Sequence, residues 1–192
     1  MDISDKLYEL VAEGKLENAV EIAENHLSNL PKTDFHKILG KNLLHLTENL
    51  VEFITKFYSD SIKEFDIKAM YSEMNGFSIN YDLWYLDLFG FEICEGIEDL
   101  EWFGDFDCAT EYGMTISGFE DLQKVFQDYM ENEKYNDAEL EKVCEICELI
   151  IILRVQELFQ ASKNIAIEKK LNWSKIPLFA TAHDYEIIYK VK

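Results

Sequence analysis

The sequence predicts an α+β fold: a helical N-terminal half (a hairpin plus a long helix), a small antiparallel β-sheet, two further helices and a C-terminal strand. Three observations predict it. Apolar residues recur at helical spacing from residue 3 to about residue 65. The pattern then changes to alternation and aromatic runs between Ile67 and Ile93. It returns to a helical run that is apolar nearly all round between Val143 and Phe159, and alternates once more from 178 to 191. No Pro- or Ser-rich linker interrupts the chain, and 192 residues suit a single domain, with 1–65 as its helical part and 66–192 as its α+β part.

Residues 3–13 space Leu7, Leu10 and Val11 along one helical face, with Ser4 placed to cap the start and Gly14 to stop it. Residues 15–30 repeat the pattern through Leu16, Ala19, Val20, Ile22, Ala23, Leu27 and Leu30, and Pro31 closes it. Two short helices about one glycine predict an antiparallel hairpin, and GKLENAVEIAENHL resembles half of a tetratricopeptide unit, with no second copy at a fixed period. A third helix is expected from Thr33-Asp34 to about Phe65, because Phe35, Ile38, Leu39, Leu43, Leu46, Leu50, Phe53, Ile54 and Phe57 form a continuous stripe.

Ile67, Ala69 and Tyr71 alternate with Lys68, Met70 and Ser72, and Asn75-Gly76 reads as a turn. Residues 83–93, LWYLDLFGFEI, predict a second strand in which Gly90 marks a bulge. Residues 95–105 are charged enough to be an exposed loop or a single helical turn. Ser117 to Glu120, SGFE, fits a capping box opening a helix through Phe119, Leu122, Val125, Phe126 and Tyr129. Asn136 or Asp137 caps the last helix, expected from Ala138 to about Lys163, and the tail from 178 returns as a strand.

Composition narrows function. The formal net charge is −20, and Arg154 is the one arginine beside seventeen lysines. Such a surface repels nucleic-acid phosphates and anionic membranes and attracts basic partners. The near absence of Arg argues against bidentate phosphate recognition. No run of eighteen apolar residues and no secretory leader pattern is visible, so a cytoplasmic location is expected. Neither nucleic acid nor membrane is an expected partner.

No chemical motif rises above its structural alternative. Cys144-x-x-Cys147 falls inside a helix beside Glu145 and Glu148, which raise a thiol pKa; it reads as buried structural cysteine. A zinc site would need Cys94 and Cys108 as well. His26, His36 and His45 lack a partner at metal spacing, and His183-Asp184 has no nucleophile elbow near it. No catalytic residue, metal site or cofactor is expected, and the protein is not read as an enzyme.

One stretch stands out. Ala69 to Gln123 holds thirteen carboxylates and twelve aromatic rings with no Lys, Arg or His. Within it, Glu95, Glu98, Asp99, Glu101, Trp102, Phe103, Asp105 and Asp107 form the candidate partner-binding set: solvated carboxylates around two rings that either anchor a partner or plug a small core. The spacing is not that of a calcium loop.

The phrases WYLDLFGFE, DLEWFGDFD and TISGFEDLQKVFQDY, with Gly118, Glu120, Leu122 and Gln123 in the last, resemble the middle of small acidic immunity proteins from bacterial polymorphic toxin systems. The likeness covers roughly residues 81–129. It implies a cytoplasmic inhibitor that blocks a cognate toxin and carries no chemistry of its own. The physical reading agrees: nuclease-type toxins are basic because they grip phosphates, and an acidic inhibitor meets them quickly. The alternative expectation is a helical adaptor that takes a peptide through the hairpin of residues 3–30.

Overall fold

The computed structural model describes residues 2–97 and 100–192. Two helices, α1 (Ile3–Glu13) and α2 (Leu16–Ser28), form the N-terminal hairpin. Gly14 makes the turn at φ 77°, where its N–H reaches the Leu10 and Val11 carbonyls. The cap residue of α1 is Asp2, not Ser4, and the Asp5 carboxylate accepts the Asp2 N–H at 3.3 Å.

The expected long third helix is broken. A 3₁₀ turn spans Asp34–Ile38, Gly40 turns left-handed at φ 73°, a second 3₁₀ turn covers Leu44–Leu46, and only Thr47–Ser61 is α-helical (α3). Phe35, Ile38, Leu43 and Leu46 are still buried as the stripe requires. Burial therefore follows the apolar pattern while the backbone follows the glycine, because a residue at positive φ cannot continue a right-handed helix.

The sheet comprises β1 (Ala69–Asn75), β2 (Tyr85–Phe91), the two-residue strands β3 (Cys108–Ala109) and β4 (Met114–Thr115), β5 (Leu178–Ala182) and β6 (Tyr189–Val191). The order is β3-β2-β1-β5-β6, with β4 also on β2. It is mixed: β5 runs parallel to β1, and the other pairs are antiparallel. The tail is thus two strands rather than one, reversing at Asp184, which has φ 64°. Gly90 makes no bulge. It pairs in register with Met70, and a side chain there would come within 2.7 Å of Cys108 Sγ and 3.0 Å of Ile67 Cδ1.

α4 (Glu120–Glu131) starts two residues later than the SGFE capping box implies, with Phe119 rather than Ser117 at the cap position. Gly118 sits at φ 101°, and its N–H donates to Glu120 Oε1 at 2.8 Å, so the carboxylate serves the turn before the helix. α5 (Ala138–Glu168) is capped by Asp137, whose Oδ1 accepts from Glu139 N and Leu140 N. At 31 residues it is the axis of the molecule. α2 and α3 pack along it, and beyond them it lies against β5 and β6. Its residues Ile150, Ile151, Ile152, Leu153, Val155, Leu158 and Phe159 are fully buried, each worth about 1.5–3 kcal/mol of transfer free energy.

Polar groups on α5 tie these layers together. Gln156 Nε2 donates to the Ala180 and Ile187 carbonyls at 3.2 and 2.7 Å, and Lys163 Nζ donates to Ile176 O at 2.7 Å. Arg154 is held by Glu24 of α2 and by Glu157, each at 2.7 Å. The one arginine is therefore committed to internal packing. Among the described residues, no helix is long and apolar enough to cross a membrane.

Candidate functional site

The helices lie on one face of the sheet. Alternation on β1 sends Met70, Ser72 and Met74 toward them, and on β2 Leu86 and Leu88. The opposite face carries Ala69, Tyr71, Glu73 and Asn75 from β1; Tyr85, Asp87, Phe89 and Phe91 from β2; and Phe179 and Thr181 from β5. Ala69, Tyr71, Phe91 and Phe179 form a second, smaller core there, closed by Trp102 from the loop after β2.

That loop is the acidic aromatic segment, and the structure places its members separately. Trp102 lies in a 3₁₀ turn, Glu101–Gly104, and is 4% exposed. Its Nε1–H donates to Gly96 O at 2.8 Å, and its ring stacks on Phe103 at 4.2 Å and meets Phe91 edge-on at 4.8 Å. Phe103 is half-buried against Tyr71, with ring centroids 4.5 Å apart. Of the two outcomes open for these rings, they take the second and staple the loop to the sheet. Glu95, Glu101, Asp105 and Asp107 are exposed, and Asp107 Oδ2 accepts the Glu92 N–H at 2.7 Å. Glu98 and Asp99 lie outside the described residues. The ring that does reach solvent is Phe106, 47% exposed and packed on Phe89 at 4.9 Å.

Beyond the staple the face stays open and becomes polar. Glu73 and Asp87 stand directly opposite one another on paired strands. Like charges in that position repel. Tyr71 Oη donates to Glu73 Oε1 at 2.8 Å, and His183 Nδ1 lies 3.0 Å from Glu73 Oε2. Asn75 Nδ2 donates to Asp87 Oδ2 at 2.9 Å, and Thr110 Oγ1 lies 3.2 Å from Asp87 Oδ1. Burial raises the Asp87 pKa, the Thr110 hydrogen bond opposes that, and the Glu73 charge adds to it. The Glu73 hydrogen bond raises the His183 pKa, with further help from the Glu73 and Asp184 charges. Both ring nitrogens of His183 face carboxylates, Nε2 being 3.5 Å from Asp184.

Two clefts flank the pair. One, of about 440 Å³, lies on the β2 side between Tyr85, Asp87, Phe89, Thr110 and Tyr112. The other, of about 370 Å³, lies between Tyr71, Glu73, Phe103 and the turn from His183 to Ile188. Neither is lined by a lysine or arginine.

Glu73, Asn75, Asp87 and Thr110 were not singled out from the sequence. The available signal was period-two counting: Tyr85, Asp87 and Phe89 necessarily share a face. The residue opposite Asp87 depends on register, which the nine-residue connection from Gly76 to Trp84 conceals.

The other candidates are placed as follows. Cys144 and Cys147 are buried in α5, Cys108 is half-buried and Cys94 exposed. Burial raises the Cys144 and Cys147 pKa values, with the Glu148 charge adding to both, so these thiols are poor nucleophiles. Among the described residues, no group of three or more His, Cys, Asp or Glu is arranged to hold a metal ion. The hairpin directs Leu7, Val11, Leu16, Ala19, Val20, Ala23 and Leu27 into the main core, where α2 packs on α5, so that apolar face is already occupied. Comparison with known protein families, with characterised proteins and with solved structures finds no match to this chain.

Proposed function

We propose that this chain is a non-catalytic binding protein, a bacterial cytoplasmic immunity protein that inhibits a basic cognate toxin, of nuclease type, through an acidic aromatic surface. The observation that carries the reading is the open sheet face: the clefts over β1 and β2 are lined by carboxylates and aromatic rings without a lysine or arginine. The exposed carboxylates Glu95, Glu101, Asp105 and Asp107 belong to the loop stapled onto that same face, so loop and clefts together are negative, while Lys190 of β6 lies over Phe179 at the far edge of the face. A basic protein meets such a surface quickly, through long-range attraction.

The test is co-expression with the product of the adjacent gene, followed by capture at low and high salt. Capture that weakens as salt rises is expected, because screening removes the attraction between exposed charges. Failure to capture, or capture indifferent to salt, overturns the proposal.

A further inference from the structure

The open face has one place where its charge is both concentrated and poorly compensated. Glu73 and Asp87 are cross-strand neighbours, with β-carbons about 4.5–5.5 Å apart in such pairs. A carboxylate offers about four acceptor positions. Glu73 receives Tyr71 and His183; Asp87 receives Asn75 and Thr110. About two positions on each carboxylate are left, facing the clefts. Three of the four donors are uncharged, and only His183 can bring a positive charge. The clefts to either side add Glu111, Asp184 and Glu186.

We infer that this trough, which crosses the strands from Asp87 over Glu73 to the turn at His183, receives an extended arginine-bearing segment of the partner protein. The inference rests on the reading of the chain as a binder of a basic partner and names the place and the residue type. Charge complementarity selects a cation. A bare metal ion is disfavoured, because hard cations take six or more oxygens and no such convergence exists among the described residues. Arginine fits better than lysine. Its planar fork of five N–H donors matches the open acceptors on two facing carboxylates. Tyr85 and Phe89, one alternation to either side of Asp87 on β2, line the same cleft as its carboxylate, so a guanidinium bound there lies among aromatic rings. From Asp87 on β2 to His183 beyond β5 is about two strand spacings, or roughly 10 Å, which three or four extended residues span.

The test uses the full ¹⁵N-labelled chain and a seven-residue Gly/Ser peptide carrying two arginines, titrated at low salt alongside its lysine counterpart. Shift changes are expected to cluster at Glu73, Asn75, Asp87, Thr110 and His183. Asp87→Asn and Glu73→Gln, which keep the size of the originals but only one acceptor oxygen each and no charge, should each weaken the arginine peptide about tenfold, as loss of a charge-assisted pair does. The Glu17→Gln/Glu21→Gln double variant on exposed α2 positions should weaken it far less. If both trough variants bind as the α2 control does while the peptide still binds in a salt-dependent way, the trough is overturned and the broader reading stands. Equal affinity for the lysine peptide overturns the arginine assignment. No response to either peptide likewise overturns the trough, while the broader reading stands or falls by the capture experiment.

Discussion

Glu148 should be a destabilising residue at neutral pH. It lies in α5, where its Oε2 accepts the Tyr185 hydroxyl at 2.6 Å and Oε1 lies 3.7 Å from Cys144 Sγ. Burial raises its pKa to about 7 against an ordinary 4.5; Tyr185 and Cys144 pull back and the Glu145 charge adds. Between those two values the native protein holds a proton that the unfolded chain has released, so this group's contribution falls as pH rises from 4.5 and is fully unfavourable above 7. At ~1.4 kcal/mol per pKa unit the whole span amounts to about 3 kcal/mol. Glu148→Gln keeps an acceptor for Tyr185 and removes the titration. Compared with the wild type by urea denaturation at pH 5, 6, 7 and 8, the variant should gain about 2–3 kcal/mol of relative stability across the series, most of it between pH 5 and 7. A difference that stays constant with pH would refute the reasoning, since only a protonation confined to the native state produces the slope.

Other expectations are simpler. Trp102→Ala removes the plug of the second core and should cost about 3 kcal/mol, read from the urea midpoint, with faster proteolysis between residues 93 and 107; equal cleavage would mean that the loop is held by something else. Gly118→Ala should lower the thermal midpoint by the equivalent of about 1–3 kcal/mol, because φ is 101° and the new methyl would lie 2.8 Å from His45 Cε1; an unchanged midpoint would show that the turn can relax. Lys163 carries a pKa lowered by burial to about 8, so Lys163→Met should be neutral or stabilising at pH 7 and lose that advantage as pH rises above 8, checked by urea midpoints at pH 7 and 9.5.

What the sequence disclosed depended on how local the cause was. Gly14 and the apolar face of residues 15–30 announced the hairpin, and the unbroken run around Ile150–Leu153 announced a buried helix. Gly40 went unread because the apolar stripe continues across it: Leu39 and Leu43 obey the helical period through contacts made by a non-helical backbone. Nothing local says that β1 pairs with β5 across more than a hundred residues, or that it does so in parallel. The candidate site divides in the same way. Composition pointed at the loop from 95 to 107, and two of its rings serve the fold. The pair Glu73 and Asp87 is a product of register, which only the closed hairpin defines.

The length and late position of α5 have a consequence for synthesis. α2, α3 and β1 emerge from the ribosome with their greasy sides bare, because the rod that α2 and α3 clasp does not begin until residue 138 and the neighbour that β1 needs on its second edge waits until 178. Such a nascent chain calls on a chaperone for most of its translation, and a stop codon placed between 168 and 178 should yield an aggregate rather than a smaller folded product.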